Sequence, residues 1–272
     1  GYVAFHSGLT RGLFEAARVW LGWLPGGLAI ASLFGATGFA AVTGSSVACS
    51  AAMARIAVPE MHKSGYNLSI ATGSIAAGGT IGALIPPSIL LILYGIQAQV
   101  SITSLFLGGL VVGLLTLIGY VSVVLAAAWF RPSFFPPLVS EGQKGKLAAL
   151  VGIWPTAVLV LLVFGGLFSG VFTATEAGAV GALLTLLLGL VRRSLTRQAI
   201  SQSILDTLLS SASLFIIAVA ANAFTRLIAL SGLSAALGGW IGDLGVSPVV
   251  ILLVISLVYL FLGMFLEPIG AM

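Results

Sequence analysis

The chain has 272 residues, of which 59% are hydrophobic and 7% charged, with a formal net charge of +4. A soluble domain carries about 25% charged residues, so a water-soluble fold is excluded and the chain reads as an integral membrane protein. Its cations lie between apolar runs and form no basic patch, which argues against nucleic acid as a partner, and the one cysteine, Cys49, excludes an intrachain disulfide or a cysteine-based metal site.

In chain order, residues 1–20 mix Arg11, Glu15 and Arg18 with Leu13, Phe14, Ala17 and Val19, a spacing that predicts an amphipathic interfacial helix. Residues 19–54 carry no charge and are interrupted at Gly35-Ala-Thr-Gly38 and at Thr43-Gly-Ser-Ser46. A spanning helix needs about 20 apolar residues. This run is too long for one span and too short for two with a turn, and cations flank both its ends (Arg11 and Arg18, then Arg55 and Lys63). A re-entrant hairpin with its tip at Gly44-Ser45-Ser46 satisfies both facts; the competing reading is a Gly/Ser kink packed among other helices. The returning arm, 47–58, is expected to end at the polar turn Pro59-Glu60-Met-His-Lys63.

Residues 67–130 carry no charge either. Their first part, 68–97, should be broken at Gly78-Gly-Thr-Ile-Gly82 and at Ile85-Pro-Pro-Ser88, because paired prolines remove backbone donors and disfavour helix before them. A full span is expected over 105–130, a polar loop over 131–146, and spans over 147–168 and 177–191, with Thr173 or Thr175 capping a helix near Glu176. Residues 196–208 read as interfacial, 209–224 as a further span, 231–245 as a short half-polar segment and 248–266 as an apolar arm. Trp20, Trp23, Trp129, Trp154 and Trp240 fall near segment ends as interfacial anchors, and His6 and His62 have no metal-ligand spacing around them. No leader is visible, and the chain reads as an internal piece of a longer protein.

Following these crossings, ten of the eleven cations fall on one side, Arg226 being the exception. Cationic loops mark the cytoplasm. The arm after Pro25 and the arm after Pro248 then enter from opposite sides, which is the inverted-repeat pattern of secondary transporters. The division expected is an arm helix over 1–18, a first hairpin and broken helix over 19–100, scaffold helices over 101–230 and the start of a second hairpin over 231–272. The fold class is therefore all-α and polytopic, with inverted repeats, re-entrant hairpins and broken helices.

Non-helical backbone at membrane depth persists only when buried in protein or lining a wet cavity. Thr43, Ser45 and Ser46 and the carbonyls near 78–87 are hard oxygens suited to Na⁺, and half-helix N-termini near Ser46 and Ser88 suit a carboxylate. Glu267 closes an uncharged arm directly before Pro268, and an acid at such depth is a functional candidate. No nucleotide-binding or hydrolase motif is present, so no ATP-driven pump is encoded here. An intramembrane hydrolase would need a His or Lys within a span beside its Ser, and none is available; a pure scaffold would have no use for two unwound tips.

Thr43-Gly-Ser-Ser-Val-Ala48, Ala51-Ala-Met-Ala-Arg-Ile-Ala-Val-Pro-Glu-Met61, Ala71-Thr-Gly73, Ala76-Ala-Gly-Gly-Thr80, Leu84-Ile-Pro-Pro-Ser-Ile89, Tyr94-Gly95, Gly170-Val-Phe-Thr-Ala-Thr-Glu-Ala177 and Leu262-Gly-Met-Phe-Leu-Glu-Pro268 together resemble the large membrane subunit of tripartite ATP-independent periplasmic (TRAP) transporters. The resemblance covers nearly the whole chain. It implies a Na⁺-driven, elevator-type importer of organic acids in the bacterial inner membrane, with no organic cofactor. Its partners would be a small four-helix membrane subunit, a periplasmic substrate-binding protein and the lipid bilayer. The implied ion ligands are Thr43, Gly44, Ser45, Ser46, Gly79, Thr80 and Pro86, with a second site near Gly263 and Glu267; Ser46, Pro87 and Ser88 would meet the substrate. A divalent-anion/Na⁺ symporter working without a binding protein is the alternative.

Overall fold

The computed structural model describes residues 1–8, 11–136, 145–243 and 245–266, and every regular element in them is helical. The chain divides into two compact units, Gly1–Ile204 and Leu205–Met272.

The first unit is built around α3 (Gly27–Thr43), which follows α1 (Tyr2–His6) and α2 (Arg11–Leu21). An apolar sequence on every face has nothing to turn toward water, and α3 is accordingly buried along Ala29 to Leu33 and again at Gly35, Ala36 and Phe39 to Ala41. Small residues let its neighbours approach closely. A Cβ on Gly35 would stand 3.3 Å from the Phe14 Cα of α2, and one on Gly78 of α5 (Leu68–Thr80) would stand 3.2 Å from the Ala36 Cβ. The apolar side of α2 is thus covered: Phe14 and Ala16 are buried, and Gly12 abuts the Gly152 carbonyl of α8 (Lys146–Phe168).

Gly44 stops α3 in a left-handed conformation, φ +63°, and its amide donates back to the Ala40 carbonyl. Ser45 then caps α4 (Ser46–Lys63) by accepting from the Ala48 amide at 3.3 Å. The two helices return on one another as a hairpin, with the Cys49 thiol 3.3 Å from the Ala36 carbonyl and Arg18 paired to Glu60. The arm does not end at Pro59. Helix continues through it to Lys63, because Met61 is fully buried beyond the proline and holds the last turn in the core.

The broken helix also differs in detail from expectation. Gly78 to Thr80 stay α-helical, a 3-10 turn follows at Ile81–Ala83, and the backbone unwinds only over 84–88 before α6 (Ile89–Ala98). Gly78 and Gly79 serve close packing within the helix, whereas α-helix gives way at Thr80 to the 3-10 turn that holds Gly82, and the prolines complete the break. α7 (Ile102–Phe130) is a long apolar rod of roughly 44 Å at 1.5 Å per residue. Phe106 of α7 packs with Val163 and Leu167 of α8 and with Ala174 and Ala177 of α9 (Ala174–Val191). At the start of α9, Thr173 and Glu176 form the reciprocal capping pair: the Thr173 amide donates to the Glu176 carboxylate at 2.8 Å. α10 (Arg197–Leu230) runs unbroken where an interfacial segment and a separate span were expected.

Helices α7, α8, α9 and α10 are long and apolar enough to cross a membrane, whereas α3, α6 and α12 (Pro248–Leu262) are apolar but shorter. At 17 residues α3 reaches roughly 26 Å, at the lower limit of what spans a ~30 Å hydrocarbon core. The protein is an all-α, multi-pass membrane protein. In the second unit, α11 (Leu233–Asp243) and α12 are exposed along their lengths, and α12 starts at Pro248 and stops at Gly263.

Candidate functional site

Two interrupted helices meet in the first unit. α3 and α4 contribute a carboxyl end and an amino end at the hairpin tip, and α5 with its 3-10 turn and α6 contribute another such pair at the break. Each carboxyl end carries partial negative charge and each amino end partial positive charge. The meeting is backbone to backbone. The Ile89 amide donates to the Gly44 carbonyl at 3.2 Å, and any Cβ on Gly44 would overlap the Pro87 carbonyl. A Cβ on Gly82 would lie 3.0 Å from both the Ser45 carbonyl and the Ser46 Cα.

The other wall of the break is α7. Gly109 and Gly113 sit one turn apart there; a Cβ on Gly109 would stand 2.7 Å from the Leu84 carbonyl, and one on Gly113 2.7 Å from Ile85. The unwound segment is therefore held between the hairpin tip and a glycine face of α7. Such clamping is how irregular backbone survives inside a membrane protein.

The expected ligands are partly gathered by this arrangement. Gly44, Ser45, Ser46, Gly79, Pro86 and Pro87 all belong to the tip or to the elements packed against it. The Thr43 hydroxyl donates to the Phe39 carbonyl within its own helix at 3.1 Å. The Ser88 hydroxyl is fully buried and committed to backbone, donating to the Ala83 carbonyl at 2.6 Å and accepting from the Leu91 amide at 3.4 Å as the cap of α6. Thr80 turns elsewhere: its hydroxyl lies 3.0 Å from the Tyr120 phenol on α7 and donates to the Ala77 carbonyl. Gly263 ends α12 in the second unit, where its amide donates to the Tyr259 carbonyl at 2.8 Å, and Glu267 lies outside the described residues.

Sequence reasoning missed Ser50. Its hydroxyl lies so close over Gly79 that any side chain there would collide with it. One helical turn after Ser46, it shares that residue's face of α4, and the i, i+4 spacing was the signal. Tyr66 was missed as well. Its phenol accepts from the Leu28 amide at 3.1 Å at the start of α3, doing the work of a cap in place of Gly26, which has no side chain. Burial pushes the Tyr66 phenol up from its ordinary range, against the opposing pull of that amide.

Chemically the site offers neutral carbonyl and hydroxyl oxygens and amide-rich helix ends. Among the described residues no group of three or more His, Cys, Asp or Glu could hold a metal ion. Neutral hard oxygens suit a monovalent alkali cation held loosely, not a transition metal.

Comparison with known proteins places this architecture. Residues 1–272 match the family described as tripartite ATP-independent periplasmic transporter, DctM component. The chain is 34% identical over 263 residues to the C4-dicarboxylate TRAP transporter large permease protein of Pseudomonas aeruginosa, covering 96% of this chain and 61% of that protein. It is 29% identical over 268 residues to the sialic acid TRAP transporter large permease protein of Vibrio cholerae, covering 98% and 62%. It is also 31% identical over 274 residues to an isethionate TRAP transporter permease protein of Oleidesulfovibrio alaskensis, covering 97% and 42%. The chain thus spans at most about three-fifths of these relatives' lengths.

Proposed function

The chain belongs to the large permease family of TRAP transporters, and from that premise we propose that it is the Na⁺-coupled transport subunit for an organic acid anion delivered by a periplasmic binding protein. The family's relatives are named as permease proteins, and transport rather than a catalysed reaction is the activity it carries. The observation that supports the rest is the contact of the hairpin tip with the unwound 84–88 segment.

On this reading the carboxyl ends of α3 and α5 turn partial negative charge toward a cation, with Gly44, Ser45, Ser46, Gly79 and Pro86 supplying oxygens and Ser50 added to them. The amino ends of α4 and α6, at Ser46 and Ser88, turn partial positive charge toward the substrate's acid group, with Pro87 beside them. Na⁺ binding would draw the tip and the break together, and a completed tip would then favour the anion. That order couples the two solutes without any covalent step. Glu267 and Gly263 would serve a second cation site in the later repeat, where an unpaired carboxylate at membrane depth is costly by at least about 2.5 kcal/mol. The hairpins and their broken helices move as an elevator against the scaffold helices of residues 101–230, braced by a small four-helix membrane subunit in the bacterial inner membrane. Substrate names among the relatives range over C4-dicarboxylates, sialic acid and isethionate, and an organic acid anion is the class proposed here.

The test is uptake by the full-length protein reconstituted with its small subunit and binding protein, across a panel of organic acids, with and without an inward Na⁺ gradient. Accumulation that needs both the gradient and the binding protein is the expected result. Uptake without the binding protein would point to the simpler divalent-anion symporter, and uptake indifferent to Na⁺ would remove ion coupling.

A further inference from the structure

The turn joining α9 to α10 carries Arg192 and Arg193, and α10 opens on a third arginine, Arg197, all exposed. The apolar helix α9 ends at Val191, so this turn stands where a spanning segment meets the membrane surface. Its backbone is tightly defined. The Arg193 amide donates to the Leu190 carbonyl and the Ser194 amide to the Gly189 carbonyl, the paired bonds of a Schellman turn. Leu195 folds back over Gly189, where a Cβ would stand 2.7 Å from the leucine Cγ.

Two features of this turn work against the stability of the chain by itself. The left-handed position of a Schellman turn normally holds glycine, but here Arg193 occupies it at φ +52°. Arg197 stands at the first position of α10, after the capping Thr196, where the helix end already carries partial positive charge. None of the three guanidinium groups has an ion-pair partner among the described residues. Three cations thus fall in or directly after one hydrogen-bonded turn, with Arg193 in left-handed backbone and no ion-pair partner among the described residues. Beside them are the exposed apolar side chains of Leu190, Val191 and Ile200.

We propose that this turn binds the headgroup of an anionic phospholipid. The phosphodiester takes the guanidinium groups, for which its oxygens are matched acceptors, and an acyl chain lies along Leu190 and Val191. The apolar flank and the membrane-surface position select a lipid over a free anion. The proposal does not depend on the transport reading.

Native mass spectrometry of the full-length permease in detergent tests it, with palmitoyl-oleoyl phosphatidylglycerol and phosphatidylcholine as probes. Wild type should bind the anionic lipid about tenfold more tightly than the neutral one. Arg192→Gln/Arg197→Gln should remove about tenfold of the phosphatidylglycerol affinity and leave phosphatidylcholine unchanged. Arg193→Gly should weaken phosphatidylglycerol binding while holding or raising the thermal midpoint, since glycine relieves the left-handed backbone; loss of binding with intact stability separates a lipid contact from damaged folding. Arg55→Gln removes one charge elsewhere and should change nothing. Equal binding of the two lipids by wild type, as a purely topogenic role of these cations predicts, would overturn the proposal. So would variants that bind phosphatidylglycerol as wild type does, or displacement of that lipid by millimolar inorganic phosphate.

Discussion

The Ile89 amide donates a 3.2 Å hydrogen bond to the Gly44 carbonyl, joining the first residue of α6 to the residue that ends α3. One bond thereby ties two interrupted helices at the point where both have exposed their ends. The carbonyl at the tip is available because Gly44 adopts φ +63°, and the tip can come this near because Gly44 has no side chain.

Gly44→Ala should therefore be severe. Left-handed backbone and overlap with the Pro87 carbonyl together should destabilise the protein by about 2–5 kcal/mol. Gly73→Ala is the comparison, since nothing lies within 4 Å of a Cβ there on an exposed helical face. It should stabilise by about 0.5–1 kcal/mol. Thermal unfolding in detergent reads both, and similar shifts for the two would mean that the tip is not tightly seated.

Ser46→Ala/Ser50→Ala removes two hydroxyls beside the α5 end without touching the Ser45 cap. The Na⁺ concentration for half-maximal uptake should rise about threefold to tenfold, as loss of roughly one weak ligand interaction implies. Ser45→Ala carries a further loss of about 1 kcal/mol of stability, because its hydroxyl caps the Ala48 amide. An unchanged Na⁺ requirement in the Ser46/Ser50 double variant would assign coordination to carbonyls alone.

Tyr66→Phe removes the acceptor for the Leu28 amide and should cost about 1 kcal/mol at neutral pH. The phenol is pushed up by burial, so the folded state holds its proton more tightly than the unfolded chain does. Its contribution is complete below the ordinary tyrosine value near 10 and falls as pH rises through the raised folded value. Thermal midpoints between pH 7 and 11 should show wild type losing its advantage over Tyr66→Phe at the alkaline end. A constant difference across that range would exclude the linkage.

Arg18 and Glu60 bring the entry to the hairpin and its exit to the same end of the unit. Both side chains are about one-third exposed (33% and 36%), so a double-mutant cycle with Arg18→Gln and Glu60→Gln should return only ~0.5–1 kcal/mol, less in high salt. In a Cys49→Ala background, single cysteines at positions 18 and 63 should react with a membrane-impermeant maleimide from the same side. Labelling from opposite sides would end the re-entrant reading.

Much of this was legible beforehand. Thr173 and Glu176 stand three apart before an apolar run, and local spacing alone makes a capping box. The break at 84–88 followed from Pro86 and Pro87, whose missing donors no tertiary context restores. Within Gly78 to Gly82 the α-helix does end, at Thr80, but Gly78 and Gly79 misled, since a glycine that unwinds a helix and a glycine that admits a neighbouring helix look identical in sequence; only the presence of Leu33 and Ser50 against them distinguishes the two. Pro59 misled for a related reason, because a proline ends a helix only if nothing buried beyond it repays the lost bond, and Met61 is buried there.

The sequence by itself determined the solvent in which this protein lives, the family to which it belongs and the two places where its helices stop. Those are consequences of composition and of residues such as Gly44, Pro86 and Pro87, whose backbone preferences travel with them. Only the tertiary structure decided that the two interruptions meet, that Ser50 joins Ser46 while Thr80 turns to Tyr120, and that Tyr66 completes the start of α3. Each of those depends on the rotation and approach of helices distant in the chain, which small residues permit but do not specify.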